Sequence, residues 1–161
     1  MVKYHLTKIK YDGVSFFLIW YNDEEDGFLL FESRLLTFFS KEEAIAYANR
    51  ERIFFETGMT VFDLTNVLEL INTVEISQSC RTLIDTWHFF SDLSKSVKES
   101  FMGDVDDEEI MDVYNKLIYG SNLRLLKNEE YHPCFNEKEV RKCSEVFCNG
   151  LSILKKHVDF T

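Results

Sequence analysis

The 161-residue chain is 45% hydrophobic and 15% aromatic, which excludes an intrinsically disordered protein, and its one proline and six glycines leave no flexible linker between domains. A formal net charge of −10 at pH 7 repels nucleic acid and anionic membranes, so we expect neither as a partner. The sequence has neither the ~18 consecutive apolar residues of a membrane helix nor the apolar core of a signal peptide, so we expect one cytoplasmic domain.

The first forty residues are predicted to form strands. A strand at about Lys3–Tyr11 meets a second at about Val14–Tyr21 through Asp12-Gly13, a dipeptide that favours the positive φ angles of a two-residue hairpin. The second strand is apolar on both faces, as in a covered strand. A third strand at about Phe28–Glu32, extending as far as residue 39, follows the polar turn NDEEDG.

A helix is predicted after the third strand. Ser40 and Glu43 form a capping box, and the helix is expected to end before Gly58. Met59–Phe62 is then a short strand candidate, and Asp63 is expected to cap the next helix.

The rest of the chain is predicted to be helical. Apolar residues recur at spacings of three and four over about Ser79–Lys98 and Asp106–Tyr119. A further helix opens at Asn136, with Glu139 as its capping-box partner, and is expected to end at Asn149-Gly150.

The order of these elements indicates the fold class. A run of strands followed by a run of helices is typical of an α+β fold. We therefore predict a single domain over residues 1–161, in which a small N-terminal antiparallel sheet (1–62) is packed by a mainly helical C-terminal half (63–161).

The negative charge is concentrated in the first two thirds of the chain. Residues 1–112 carry 22 acids and 10 bases, whereas residues 113–161 carry 6 acids and 8 bases. Residues 11–33 and 99–115 contain six and seven acids and no base. Such fields speed association with a cationic partner, although a charge run is also typical of a solvated loop and acids at 106–109 favour a helix N-terminus.

One stripe of polar residues on the long helix is a possible catalytic site. His88 has Asp85 three residues before it and Asp92 four after it, a pattern that would suit a general base. The same spacing also gives a solvated helix face with ion pairs such as Arg81–Asp85. Because no nucleophile or oxyanion-binding motif accompanies the stripe, we predict that the protein is not an enzyme and keep a small hydrolase as the alternative.

Four possible zinc ligands occur within seventeen residues, at His132, Cys134, Cys143 and Cys148. Cys143 and Cys148 are five residues apart, which places them about 140° apart around a helix, and no C-x-x-C pair is present. We therefore predict no metal and no cofactor, and interpret these cysteines together with Cys80 as reduced core thiols.

Five segments together resemble a known family in their order and spacing. They are FDLTNVLELI (Phe62–Ile71), IDTWHFFSDLSKSV (Ile84–Val97), VYNKLIYGSNL (Val113–Leu123), YHPCFNEKEV (Tyr131–Val140) and NGLSIL (Asn149–Leu154). The pattern resembles small immunity proteins of bacterial contact-dependent growth inhibition and related polymorphic toxin systems.

The resemblance depends on two motifs in this pattern. A Trp followed by an Asp, here Trp87 and Asp92, precedes a helix that ends in K-L-x-x-G-x-N-L. That second motif is filled by Lys116, Leu117, Gly120, Asn122 and Leu123. The chain departs from the pattern at His88 (Asn in the family), Tyr119 (Trp) and Arg124 (Pro). The motif residues also suit purely architectural roles, with Asn122 tying the loop after Gly120.

The resemblance implies an immunity protein that binds the C-terminal toxin domain of its own strain in the cytosol and covers its active site or substrate cleft. Many such toxins are nucleases with basic clefts, which an acidic partner would engage through carboxylates. The predicted partner-binding residues are Asp23, Glu24, Glu25, Asp26, Asp104, Asp106, Asp107, Glu108 and Glu109. A homodimeric structural module, paired through the first strand or exposed aromatic residues, is a further alternative.

Overall fold

Two long antiparallel strands, β1 (Lys3–Tyr11) and β2 (Val14–Asn22), form the centre of a sheet. They come from a computed structural model that describes residues 1–72, 74–122 and 131–158. The strands pair from Lys3 opposite Asn22 to Tyr11 opposite Val14. Asp12 and Gly13 between them have φ angles of 51° and 77°, so the predicted hairpin turn is confirmed.

Short strands complete the sheet on both sides. β3 (Gly27–Phe28) pairs antiparallel with β2, and β6 (Thr60–Asp63) pairs parallel with β1, which gives the order β3-β2-β1-β6. The sheet is therefore antiparallel except at its β6 edge.

The predicted third strand is divided. β4 (Leu30–Phe31) and β5 (Arg34–Leu35) form a separate small hairpin. Glu32 and Ser33 adopt φ angles of 49° and 67°, which turns the chain back there instead of extending it to residue 39.

Helix α1 (Lys41–Arg50) begins as predicted, because the Ser40 hydroxyl accepts a hydrogen bond from the Glu43 N–H at 3.1 Å. It ends well before Gly58, and Arg52 adopts a φ of 58° just beyond it. The predicted cap at Asp63 is wrong. Its carboxylate accepts a hydrogen bond from the Thr65 N–H, which makes a turn after β6.

Four further helices follow, and both ends of the last one test a prediction. They are α2 (Val67–Ile71), α3 (Cys80–Ser96), α4 (Glu108–Gly120) and α5 (Glu137–His157). The capping box of α5 is confirmed, because Asn136 and Glu139 each accept a hydrogen bond from the other's N–H at 2.8 and 3.1 Å. The predicted end at Asn149-Gly150 is wrong. A Cβ on Gly150 would lie 2.3 Å from the Phe90 ring, so this glycine permits close packing and the helix continues.

The chain divides into two compact units, each with its own buried residues. The sheet unit comprises Met1–Thr65, Asp92–Glu99 and Leu154–Thr161, and the helical unit comprises Asn66–Ser91 and Ser100–Ile153. In the sheet unit the buried cluster consists of Leu6, Phe17, Ile19, Phe38 and Ala44. In the helical unit it includes a group of aromatic rings: Trp87, Phe90, Phe101 and Phe147.

The α+β fold class is confirmed by this order of strands and helices. The expectation of a single domain stays a prediction. In the described part of the chain, every helix is too short or too polar to cross a membrane.

Candidate functional site

The acidic segment at 104–109 contains carboxylates that support the helical unit. Asp104 accepts hydrogen bonds from the nearly buried hydroxyl of Ser91, with O–O distances of 2.8 and 3.0 Å. Asp107 is the N-cap of α4 and accepts a hydrogen bond from the Ile110 N–H at 3.1 Å. These two acids therefore hold the start of α4 in place.

Glu109 is neutralised within the chain. Its carboxylate pairs with the Lys138 ammonium at 2.8 Å and with that of Lys142 at 3.6 Å. The hydrogen bond from Lys138 lowers the pKa of the Glu109 carboxyl and raises that of the lysine. Much of the negative charge at Glu109 is thus compensated by α5.

Other acids of this region are exposed beside apolar side chains. Asp106, Glu108 and Asp112 are exposed, and their carboxylates have no hydrogen bond or ion pair with any described residue. Val105, Met111 and Tyr119 are 47%, 42% and 48% exposed. We call these six residues the acidic surface: Val105, Asp106, Glu108, Met111, Asp112 and Tyr119.

The helical period of α4 accounts for most of this surface. Its buried positions are Ile110, Val113, Leu117 and Ile118, so positions 108, 111, 112, 115 and 119 fall on the opposite face. Met111, Asp112 and Tyr119 are absent from the predicted contact residues. The periodicity that identified the buried face of the helix also indicates these exposed positions.

The acidic turn of the sheet unit has a simpler structure. Asp23, Glu24 and Glu25 are exposed in the turn between β2 and β3. Asp26 is half-buried and accepts a hydrogen bond from the side-chain amide of Asn22. The predicted contact segment at 23–26 thus belongs to the sheet unit, and the segment at 104–109 belongs to the helical unit.

A cleft of about 500 Å³ lies in the helical unit. Its lining residues come from α4, the segment before α5 and the first turns of α5: Glu109, Asp112, Asn115, Lys116, Tyr119, Tyr131, Asn136, Lys138, Glu139 and Lys142. Asp112 and Tyr119 belong to both the cleft and the acidic surface. This volume is within the range of ~300–1,000 Å³ found for ligand sites.

The least exposed acid in the cleft belongs to an ion pair that joins α4 to α5. The Lys116 ammonium donates hydrogen bonds to the Cys134 carbonyl at 2.7 Å and to the Glu139 carboxylate at 2.8 Å. Burial by itself would raise the pKa of Glu139, but the hydrogen bonds from Lys116 and the Asn136 N–H outweigh it and lower the pKa. Glu139 is therefore held ionised.

The residues of the K-L-x-x-G-x-N-L motif have architectural contacts. Leu117 is buried, and a Cβ on Gly120 would lie 2.5 Å from the Cys80 sulfur. Asn122, with a φ of 58°, donates to the Gly120 carbonyl and accepts from the Tyr131 N–H at 2.9 Å. The prediction that the Asn122 side chain holds the loop after Gly120 is therefore confirmed. Leu123 and Arg124 lie outside the described residues.

Trp87, the central residue of the other motif, is also part of the packing. It is buried and makes edge contacts with the rings of Phe101, Tyr114 and Phe147 at centroid distances of 5.5–6.3 Å. Its role in the helical unit is therefore structural.

The residues of the possible catalytic stripe, Asp85, His88 and Asp92, each contact a residue other than these three. Asp85 pairs with Arg81 at 3.2 Å, as expected for a helix surface. His88 is exposed, and its Nε2 atom lies 3.0 Å from the hydroxyl oxygen of Tyr114. In the sheet unit, Asp92 accepts a hydrogen bond from the Trp20 indole at 3.1 Å. The hydrolase alternative stays a prediction, and a catalytic role for these side chains would compete with the contacts that they make here.

The cysteines fall into two classes. Burial raises the pKa of the Cys80 thiol to about 11 and that of Cys143 to about 12, as expected for core thiols. Cys134 and Cys148 are exposed, so their interpretation as core thiols is wrong. Cys148 is turned away from the buried face of α5 by its five-residue spacing from Cys143. Within the described ranges, no group of three His, Cys, Asp or Glu side chains is placed to hold a metal ion.

Exposed aromatic residues, which the homodimer alternative requires, are present in the sheet unit. Phe31 and Phe54 are 64% and 85% exposed. β1 lies between β2 and β6 in the sheet, so pairing through the first strand is wrong, whereas pairing through exposed aromatic residues stays a prediction.

Comparison with known proteins supports the fold. No family model matches the chain, and no curated protein sequence matches it. A solved structure described as "The crystal structure of SatS c-terminal domain in complex with bromine" is similar, with a TM-score of 0.58 and 9% sequence identity. The match covers 98% of this chain and 92% of that one. At this identity the similarity concerns the α+β fold alone.

Proposed function

We propose that the protein is a cytoplasmic immunity protein that binds and neutralises a cognate toxin domain, a nuclease, by covering its basic active-site or substrate cleft. It acts by occlusion and not by catalysis. The observation that carries the proposal is the acidic surface, which presents three exposed carboxylates among three exposed apolar side chains.

The charge of this surface suits a nuclease. A cleft that binds phosphate is lined by Lys and Arg, and the carboxylates of Asp106, Glu108 and Asp112 would form charge-assisted hydrogen bonds with such side chains. The overall charge of −10 would also steer the two proteins together.

The apolar side chains on the same surface suit binding to a protein. Methionine and aromatic residues are enriched in protein interfaces, where they fill pockets that exclude water. Met111 and Tyr119 lie on the exposed face of α4 on either side of Asp112 in sequence. Binding would bury this apolar area and strengthen the ionic contacts next to it.

Within the predicted segment, the acids divide by role. Asp104, Asp107 and Glu109 already have partners that support α4. Asp106 and Glu108 remain available among the described residues, and Asp112 joins them. We therefore expect the first three to act on stability and the last three on toxin binding.

The test is co-expression with the toxin domain encoded immediately upstream, measuring complex formation and growth. The wild-type chain should co-purify with the toxin and rescue growth. The variant D106N/E108Q/D112N should lose much of this protection, whereas D23N/E24Q/E25Q, which removes the same charge from the turn of the sheet unit, should retain more. Absence of any wild-type complex or rescue contradicts the proposed function. Equal protection by both variants contradicts only the choice of surface.

A further inference from the structure

The cleft of the helical unit is continuous with the acidic surface, because Asp112 and Tyr119 belong to both. A partner that docks on this surface would therefore reach the cleft at these two residues. This places a concave site of about 500 Å³ within reach of one side chain from that partner.

Each of the three lysines among the described lining residues of the cleft is paired within the chain. Lys116 pairs with Glu139 at 2.8 Å, Lys138 pairs with Glu109 at 2.8 Å, and Lys142 pairs with Glu145 at 3.2 Å. Asp112 differs from the other lining acids, since it has no ion pair with any described residue. Among the described lining residues, the charge left to attract a ligand is therefore negative.

Two aromatic rings and one side-chain amide line the cleft together with the Asp112 carboxylate. Tyr119 and Tyr131 line the cleft and are 48% and 38% exposed. Asn115, one helical turn from both Asp112 and Tyr119, supplies a side-chain carbonyl that accepts hydrogen bonds. Tyrosine rings attract cations and stack on the planar guanidinium group of arginine. The guanidinium group also donates two hydrogen bonds to a carboxylate.

We propose that the cleft is a socket for one arginine side chain of the toxin. The guanidinium group donates to Asp112 and Asn115, and the side chain packs on Tyr119 and Tyr131. This inference rests on the proposed function for the identity of the partner.

An anion would bind less favourably at the same place. It would require Lys138 or Lys142 to leave Glu109, with which both are paired. A cation leaves these ion pairs in place, so the cleft favours an arginine over a phosphate or carboxylate group.

The first part of the test uses the isolated chain. N-acetyl-arginine amide is titrated against the ¹⁵N-labelled protein by NMR, with inorganic phosphate as the anionic comparison. We expect the arginine compound to shift the amide signals of Asp112, Tyr119 and Tyr131, and Asp112→Asn to abolish these shifts. Shifts produced by phosphate alone, or no shifts with the arginine compound, would overturn the inference.

The second part uses the complex with the toxin domain. Asp112→Asn and Tyr119→Ala should each weaken the complex by about tenfold or more, the size expected for losing a charged hydrogen bond or an aromatic contact. Glu108→Gln is the matched control, because it removes the same charge from α4 outside the cleft. If the complex forms and Asp112→Asn weakens it no more than Glu108→Gln, the inference is overturned while the proposed function stands. If the wild-type chain forms no complex, the proposed function fails, and the arginine titration alone decides whether the cleft is a socket.

Discussion

The acidic turn at residues 23–26 and the acidic segment at residues 104–109 have nearly the same composition and differ in what the carboxylates contact. In the turn, three neighbouring acids are exposed and Asp26 is held by Asn22. In the segment, Asp104, Asp107 and Glu109 each stabilise the start of α4, while the acids between them face solvent. A run of acids can thus be a simple solvated turn or a set of structural contacts interleaved with available charges.

The largest effect on stability is expected at Asp104. Asp104→Ala would leave the nearly buried Ser91 hydroxyl without its acceptor, at a cost of about 1–3 kcal/mol in the free energy of unfolding. Urea denaturation measures this loss. The neighbouring Asp106→Ala is the control and should stay within ~0.5 kcal/mol of wild type. Equal losses in the two variants would show that Asp104 does not support the helical unit.

Removal of the α4 cap should have the next largest effect. Asp107→Ala removes the side-chain acceptor for the Ile110 N–H and should lower the free energy of unfolding by about 1 kcal/mol. Asp107→Ser keeps an acceptor at the cap position and should recover most of that loss. If the serine variant is as unstable as the alanine variant, the capping role is refuted.

The ion pairs of Glu109 should produce a small dependence of stability on pH. Because Lys138 lowers the folded-state pKa of Glu109 below its ordinary value of 4.5, this stabilisation is present above that value and is lost as the pH falls through the folded-state pKa. Urea midpoints measured between about pH 3 and pH 6 should therefore fall less steeply with acid in Glu109→Gln than in wild type. Parallel curves would contradict the account.

The turn of the sheet unit should give the smallest effect. D23N/E24Q/E25Q replaces exposed carboxylates and should change the free energy of unfolding by less than ~0.5 kcal/mol. The same urea experiment measures it. A loss well above that limit would mean that the turn, like the segment, contains structural contacts.

Local interactions explain why much of the fold is predictable. The Asp12-Gly13 hairpin, the Ser40 cap and the box between Asn136 and Glu139 each involve residues a few positions apart, so the sequence contains the whole interaction.

Contacts between distant residues explain what sequence reasoning missed in the fold. The parallel pairing of β6 with β1 joins segments about fifty residues apart, and Gly150 packs inside α5 against the distant Phe90 ring, where a Cβ would clash. Neither contact has a local sequence signal.

The candidate site likewise has one feature that local sequence predicts and others that depend on contacts between distant residues. The exposed face of α4 could be predicted from its apolar period, which leaves Asp112 and Tyr119 outside the core. The neutralisation of Glu109 by Lys138 and Lys142 and the formation of the cleft depend on how α5 packs against α4, which the period of either helix does not indicate.

The most direct test of the central claim is the affinity for the cognate toxin domain, measured by calorimetry at low and at physiological salt. We predict that D106N/E108Q/D112N weakens binding far more than D23N/E24Q/E25Q and reduces the salt dependence, although both variants lose the same charge. Equal weakening by the two variants, or a larger loss from the turn, would contradict the claim that the acidic surface of the helical unit binds the toxin.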